Sequence, residues 1–185
     1  KLLSSYGENG SILMNHISHK VPGVEFSTGS LGHGLPFGIG KAKVAKKLNQ
    51  KWQTYVLLSD GELQEGSNWE AFMFAAHHCL DNLIAIIDYN NLQSLTSVDK
   101  TLNIMPLDKK LVSFGWHVIE VDGHNHSALK KSFKEARTIK GRPTVIIAKT
   151  IKGKGVSYME NRVEWHYKYP SEDELRVAMA ELENA

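Results

Sequence analysis

Short apolar runs alternate along this chain with segments whose apolar residues recur at helical spacing. Four runs rich in Val, Ile and Leu are typical of buried parallel strands, at residues 54–58, 83–88, 117–121 and 144–149. Strands that alternate with helices predict an α/β fold, in which helices cover both faces of a parallel sheet. The spacing predicts helices at about 36–49, 67–80, 107–114, 127–139 and 172–183.

Several polar residues stand where the predicted helices begin. The pattern S-x-x-E predicts a capping box, in which the serine hydroxyl and the glutamate carboxylate each bind a free backbone N–H. A single Asn or Ser before a helix predicts a simpler cap. The predicted starts are Ser67 with Glu70, Ser171 with Glu174, and Asn125 or Ser127.

A glycine-dense segment, residues 27–40, leads into the first predicted helix. Glycine allows a backbone to turn tightly and to approach a ligand closely, and the free N–H groups of a helix start favour phosphate. A flexible turn that only opens the helix explains the same composition. On its own, the segment leaves both interpretations open. The polar, irregular residues 1–26 before it are predicted to form a lead-in loop.

Two oxygen-bearing side chains stand where consecutive strands end. Asp60 follows the first run and Asn90 follows the second, 30 residues later, which is about the length of one strand–helix–strand unit. If the strands are neighbours, both side chains lie at the carboxyl edge of the sheet, where α/β proteins bind ligands. Hard oxygen donors suit Mg²⁺ that is completed by phosphate. Taken singly, Asp60 is also explained as the cap of a turn, and Asn90 as a residue that tolerates a left-handed turn. Their 30-residue spacing makes the pair more specific, and we predict a metal-held diphosphate with the Leu92 carbonyl as a third ligand.

Two glutamates follow Asp60 closely in the chain. Glu65 precedes Gly66 and has no evident local role. A carboxylate beside a cofactor site is a candidate for proton relay, whereas Glu70 is interpreted as the capping-box partner of Ser67.

Composition adds limits to this interpretation. The 185 residues are 42% apolar and predict one domain with one core. Lys and Arg number 22 against 20 Asp and Glu, so the net charge of +2 does not favour a nucleic-acid-binding protein. The single Cys79 excludes an intrachain disulfide and suits a reducing cytosol, and no apolar stretch is long enough to span a membrane. We expect a cytoplasmic protein, and further residues before Lys1.

The segment from Ser59 to Asn90 closely resembles the thiamine diphosphate motif of transketolases, in which a Gly-Asp-Gly triplet is followed at this distance by Asn. Ser59 replaces the usual first glycine. The resemblance covers essentially the whole chain and implies the α/β fold of the thiamine-diphosphate-binding domain. Its further matches are residues 22–25, 28–32, 114–116, 121–124, 149–155 and 165–166.

The resemblance implies a role for each matching residue. Asp60, Asn90 and the carbonyl of Leu92 are implied as Mg²⁺ ligands. The implied catalytic residues are His16 in the substrate channel, Glu65 in a proton relay, and His166, which contacts diphosphate and substrate. The implied cofactor contacts are Gly29, Ser30, Leu31, Gly61, Glu62, Asn90, Lys152 and His166.

The chain also departs from the family pattern. Tyr167 follows His166 where the family often has Gly, and His33 stands where Gln is common. Transketolases have three domains, and residues 1–185 match only the first. We expect residues 1–185 to contain neither the C-terminal domain nor the pyrimidine-binding domain, which in this family supplies the glutamate that protonates the cofactor's pyrimidine ring. Some bacterial and archaeal transketolases are two chains, and this one resembles their N-terminal subunit.

The implied activity is transfer of a two-carbon ketol group from a ketose phosphate to an aldose acceptor, within pentose phosphate metabolism. We expect it to need thiamine diphosphate, Mg²⁺ and a C-terminal partner subunit, in a dimer of such pairs. A related thiamine enzyme that acts on an unusual sugar remains an alternative. A non-catalytic diphosphate-binding partner is a second alternative. It is disfavoured by the presence of the residues that match the family's site: Asp60, Glu65, Asn90, Lys152 and His166.

Overall fold

A computed structural model describes residues 3–184 of the chain. The strands along this part are β1 (Thr54–Ser59), β2 (Leu83–Tyr89), β3 (His117–Asp122) and β4 (Thr144–Lys149). The α-helices are α1 (Gly34–Lys47), α2 (Gly66–His77), α3 (Val98–Thr101), α4 (Leu107–Ser113), α5 (His126–Thr138) and α6 (Glu172–Glu183). Three short 3₁₀ turns lie at Leu3–Ser5, Gly61–Gln64 and Val163–His166.

The four strands form one parallel sheet in the order β1-β2-β4-β3. β1 pairs directly with β2, and Ser59 stands opposite Asp88. The backbone N–H of Asp60 then donates to the carbonyl of Asp88 at 3.2 Å, one residue beyond β1. The predicted parallel sheet is confirmed, and the strands that precede Asp60 and Asn90 are neighbours, as the metal prediction requires.

Helices cover both faces of the sheet, as predicted. On one face, Leu58 and Ile87 pack in the main core with buried residues of α1, α2 and α4. On the other face, Ile84 and Ile146 pack against Ala136 of α5. α5 leaves part of β1 uncovered on this side, since the side chain of Leu57 is 72% exposed.

A close approach of helix to strand fixes where α1 lies. A Cβ atom added at Gly38 would come within 2.3 Å of Cγ2 of Val56 on β1. Glycine at this position therefore lets the α1 backbone lie directly on the edge strand, with Leu35 and Ala42 fully buried beside it. The glycine-rich residues before α1 are thereby held near the sheet.

Two predicted capping features are confirmed and one is wrong. Ser171 and Glu174 form the reciprocal capping box of α6, and Asn125 caps α5 by accepting from the N–H of Ala128 at 3.0 Å. The capping box at Ser67 and Glu70 does not form, because α2 begins one residue earlier and Glu65 occupies its N-cap without a side-chain bond. The Ser67 hydroxyl donates instead to the carbonyl of Gly32 at 2.7 Å.

The ends of α1 and α2 differ by a few residues from the prediction. α1 begins at Gly34 and ends at Lys47, and α2 ends at His77. Cys79 falls within the predicted helix at 67–80, but it is exposed and lies beyond α2 with φ at 49°. Between residues 3 and 184, no helix is long and apolar enough to cross a membrane.

Candidate functional site

Asp60 joins the carboxyl ends of β1 and β2. It follows β1 directly and is fully buried. Its Oδ1 atom accepts from the N–H of Gly61 at 2.7 Å, which caps the following 3₁₀ turn. Its Oδ2 atom accepts from the N–H of Asn91, in the loop after β2. One carboxylate therefore holds both strand ends together, at the edge where the sequence predicts a ligand.

The charge of Asp60 is unfavourable where it lies. Burial raises the pKa of its carboxyl group, and the nearby charge of Asp88 raises it further, while the N–H groups of Asn91 and Gly61 act in the opposite direction. A buried carboxylate beside a second carboxylate is destabilised unless a cation compensates it. The residues present therefore fit a bound hard cation.

The loop after β2 presents the other two proposed ligands. The Asn90 Oδ1 atom accepts from the N–H of Leu92 at 2.9 Å, and its Nδ2 atom donates to Oδ1 of Asp88 at 3.4 Å. Because Asp60 binds the N–H of the intervening Asn91, the structure gathers Asp60, Asn90 and Leu92 at one edge. No group of three or more His, Cys, Asp or Glu in residues 3–184 could hold a metal.

The glycine loop, residues 27–33 before α1, is hydrogen-bonded to the segment that follows Asp60. The N–H of Gly32 donates to Oε1 of Glu62 at 2.9 Å, and Glu62 is only 8% exposed. The carbonyl of Gly32 accepts from the Ser67 hydroxyl on the other side. Gly29, Ser30 and Leu31, the expected cofactor contacts, lie exposed in the same loop. Glu62 thus positions the loop through a buried carboxylate.

Two expected catalytic side chains lie against this loop. A Cβ atom added at Gly29 would come within 2.8 Å of the His16 ring, and Gly29 has φ at 148°. A Cβ added at Gly32 would come within 2.8 Å of Cβ of Glu65. Only glycine suits these positions. The structure places the side chains of His16 and Glu65 against the glycine loop, although these two residues are far apart in the sequence.

Lys152 and His166 form a separate pair. Burial lowers the pKa of His166, and the positive charge of Lys152 lowers it further. His166 ends the 3₁₀ turn at Val163–His166. Within residues 3–184, no hydrogen bond joins either side chain to Asp60 or Asn90. The structure places Lys152 near enough for its charge to act on His166, and it shows no hydrogen bond in residues 3–184 from either side chain to the proposed metal ligands.

Sequence reasoning missed the hydrogen bond between Thr150 and Asp88. The Thr150 hydroxyl donates to Oδ1 of Asp88, 62 positions earlier in the chain. The available signal was a carboxylate two residues before Asn90, at the end of a predicted parallel strand. Nothing in the local pattern around Thr150 indicates which residue its hydroxyl contacts.

A groove of about 500 Å³ adjoins the glycine loop. It lies between α1 and α2, and its lining includes Gly32 and Ser67 at one end and Phe74 towards the other. Asp60 and Asn90 do not line it. The groove is therefore separate from the proposed metal ligands, although both share the glycine loop.

Comparison with known proteins finds relatives along almost the whole chain. Residues 3–183 match the family described as "Transketolase, thiamine diphosphate binding domain". The chain is 46% identical over 183 residues to an apulose-4-phosphate transketolase subunit of Actinobacillus succinogenes, covering 98% of this chain and 66% of that protein. It is 36% identical over 184 residues to a 6-deoxy-6-sulfo-D-fructose transketolase subunit of a Clostridium species, covering 99% and 67%.

A solved structure has the same fold. The transketolase of Campylobacter jejuni superposes with a TM-score of 0.93 at 30% identity, over 98% of this chain and 30% of that one. The chain thus spans about two thirds of the relatives' subunits and under a third of this transketolase.

Proposed function

The chain belongs to the transketolase family, and from that premise we propose that it is the N-terminal, diphosphate-binding subunit of a transketolase. In this role it acts with a partner chain to transfer a two-carbon ketol group from a ketose phosphate to an aldose acceptor. The observation that carries the proposal is Asp60, a buried carboxylate that joins two strand ends beside Asn90.

The metal and diphosphate would be held at the edge of the sheet. Asp60, the Asn90 side chain and the Leu92 carbonyl would bind Mg²⁺, because hard oxygen donors suit that ion. Gly29, Ser30, Leu31 and Gly61 would contact the diphosphate. The side chains of Asn90, Lys152 and His166 would also lie within reach of it. Glu62 would act mainly by holding the N–H of Gly32. Thiamine diphosphate, when bound, supplies the carbon nucleophile for ketol transfer.

Three side chains would handle protons and substrate. His16 lies on the glycine loop and would line the substrate channel. Glu65 precedes α2 with its side chain exposed, and would relay protons towards a partner chain. His166 has a lowered pKa, so its imidazole would be neutral near pH 7 and able to accept a proton.

The partner would supply the pyrimidine-binding half of the site. Two relatives that match this chain almost end to end are named as transketolase subunits, which supports a split enzyme. Residues 1–185 would form one diphosphate-binding domain, and the partner would bind the cofactor's pyrimidine ring. Two such pairs would assemble into the active enzyme.

A second candidate concerns the sugar. One relative is named for apulose-4-phosphate and another for 6-deoxy-6-sulfo-D-fructose. These names favour an unusual ketose as the donor over the sugars of the pentose phosphate pathway. Product analysis with a panel of ketoses, including both of these, would decide between the two candidates.

Calorimetric titration tests the central proposal. Thiamine diphosphate with Mg²⁺ is titrated into the chain, with and without the partner subunit. We expect binding that is lost in Asp60→Ala and strongly weakened in Asp60→Asn, which retains an acceptor for the N–H of Gly61. Asp173→Ala, which removes an exposed carboxylate on α6, serves as the matched control. Thermal melting without ligand confirms that each variant is folded. Unchanged binding in both Asp60 variants would refute the proposed site.

A further inference from the structure

The side chain of Thr150 spans from the end of β4 to β2. Asp88 of β2 stands opposite Ala148 of β4 in the sheet. The N–H of Thr150 donates to the carbonyl of Tyr89 at 3.0 Å, which continues the pairing of these strands past the end of β4. From this position the Thr150 hydroxyl donates to Oδ1 of Asp88. The segment after β4 is thereby attached to the strand that precedes Asn90.

Gly123 accounts for the orientation of Thr150. A Cβ atom added at Gly123 would come within 2.4 Å of Cγ2 of Thr150, so the threonine methyl occupies the space that glycine leaves. The N–H of Gly123 donates to the carbonyl of Lys149 at 2.8 Å, which keeps the two segments in register. A β-branched side chain has few χ1 choices. With its methyl group against Gly123, Thr150 directs its hydroxyl to Asp88.

Asp88 in turn determines how the Asn90 amide is turned. A carboxylate oxygen accepts hydrogen bonds and does not donate them. Oδ1 of Asp88 therefore pairs with the Nδ2 group of Asn90, at 3.4 Å. The amide oxygen is left on the other side, where it accepts from the N–H of Leu92. An amide turned the other way would present N–H groups, which cannot bind a cation.

We propose that Thr150 and Asp88 are positioning residues for the metal ligand Asn90. The Thr150 hydroxyl holds the Asp88 carboxylate, and the carboxylate keeps the oxygen of the Asn90 amide directed towards the metal. The same bond fastens the segment that leads to Lys152. This inference rests on the proposed function, because it assumes that Asn90 binds Mg²⁺ together with thiamine diphosphate.

Two substitutions at Thr150 separate the hydrogen bond from packing. Thr150→Val keeps the branched shape and the methyl against Gly123 but removes the hydroxyl. Thr150→Ser keeps the hydroxyl and removes the methyl. The dissociation constant of Mg²⁺ is measured by titration at saturating thiamine diphosphate, on the chain together with its partner subunit. A hydrogen bond to a carboxylate is strong enough that its loss should weaken Mg²⁺ binding about tenfold or more in Thr150→Val, whereas Thr150→Ser should bind like the unaltered protein.

Thr138→Val is the matched control. The Thr138 hydroxyl donates to the carbonyl of Glu135 at 2.7 Å near the end of α5, so the same chemical change is made far from the strand ends. Mg²⁺ binding should not change in this variant. Thermal melting without ligand shows whether each variant folds. If Thr150→Val does not fold, Thr150→Ala is compared with Thr150→Ser, from which it differs only by the hydroxyl, and equal Mg²⁺ binding by these two variants would overturn the inference.

The outcomes distinguish this inference from the proposed function. If the unaltered chain and its partner subunit together fail to bind Mg²⁺ and thiamine diphosphate, the proposed function fails and the inference fails with it. If the unaltered chain with its partner binds Mg²⁺ and the Thr150→Val variant binds it equally well, the inference alone is overturned. Weakening in Thr150→Ser as large as in Thr150→Val would also overturn it, because the methyl and not the hydroxyl would then be responsible.

Discussion

The electrostatics of single residues set the protonation of the proposed site. His166 has a pKa lowered from an ordinary value of 6.5 by burial and by the charge of Lys152. Between the lowered and the ordinary pKa, the folded chain holds fewer protons than the unfolded chain. The free energy of unfolding should therefore rise as the pH rises through that window.

Removing the charge of Lys152 should raise the pKa of His166. In Lys152→Gln the burial of the imidazole remains and the repulsion from the lysine is lost, so the His166 pKa should move towards its ordinary value. Titration of the His166 ring protons by NMR measures it. Lys154→Gln is the control, since the Lys154 ammonium pairs with Glu160 at 3.5 Å. A His166 pKa unchanged in Lys152→Gln would show that burial alone lowers it.

At this scale the sequence predicted Asp60 and Asn90 but not the residues that support them. Asp60 and Asn90 each follow an apolar run, so their position at the strand ends is visible locally. The bond from Thr150 to Asp88 depends on β2 pairing with β4, which no local pattern reveals. Glu62 likewise reaches Gly32 across 30 positions, and only the folded chain shows that contact.

The packing of a helix on the sheet depends on tertiary contacts that helix propensity does not describe. Gly38 and Gly40 both lie inside α1, and alanine favours a helix over glycine by about 1 kcal/mol at either position. A Cβ at Gly38 would overlap Val56, whereas a Cβ at Gly40 would meet nothing within 4 Å. Overpacking costs about 1–3 kcal/mol, so Gly38→Ala should destabilise the chain and Gly40→Ala should stabilise it. Urea denaturation measures both, and equal effects would refute the close packing of α1 on β1.

The capping box of α6 should stabilise the C-terminal helix. The Ser171 hydroxyl accepts from the N–H of Glu174 at 3.3 Å, and the Glu174 carboxylate accepts from the N–H of Ser171 at 2.8 Å. Loss of such a cap costs about 1 kcal/mol, so Ser171→Ala should lower the Tm by about 2–4 °C and speed hydrogen exchange in α6. Ser127→Ala is the control, because Asn125 caps α5. An unchanged exchange rate in Ser171→Ala would show that packing alone holds α6.

The hydrogen bond to Glu174 also gives α6 a pH dependence. The backbone N–H of Ser171 lowers the pKa of the Glu174 carboxyl group, and Lys168 lowers it further. The stabilisation is present above the carboxyl's unfolded pKa and is lost as the pH falls through the lowered pKa of the folded chain. In Glu174→Gln, which keeps the shape of the side chain but does not titrate, hydrogen exchange in α6 should therefore show less acid-induced fraying than in the unaltered chain.

Competition between local caps and distant hydrogen bonds explains which helix boundaries were predictable from the sequence. Ser171 and Asn125 cap their helices, and no distant group in residues 3–184 competes for either cap. The Ser67 hydroxyl donates to Gly32, 35 positions earlier, so its local capping pattern is overridden. A tertiary contact of this kind leaves no trace in the spacing of Ser67 and Glu70.

At the scale of the whole molecule, the alternation of strands and helices was enough to predict the parallel sheet and its two covered faces. The order of strands was not predictable, because it depends on β3 packing outside β4. The uncovered part of β1 was not predictable either. The apolar run at residues 54–58 shows that Leu57 belongs to a strand but does not show that α5 stops short of it.

The division of the site between two chains gives the last prediction. This chain holds Asp60, Asn90 and the glycine loop, which would serve the metal and the diphosphate, while the groups for the pyrimidine ring would come from the partner. Because both halves must contact one cofactor, the isolated chain should show no ketol transfer. Activity should appear when the partner subunit is added and should saturate at one partner per chain. Turnover measured against the molar ratio of partner to chain, with complex formation followed by sedimentation, tests this.

The Asp60→Ala variant should assemble with the partner and remain inactive, which separates assembly from cofactor binding. Full turnover by the chain alone would instead place the whole active site within these 185 residues.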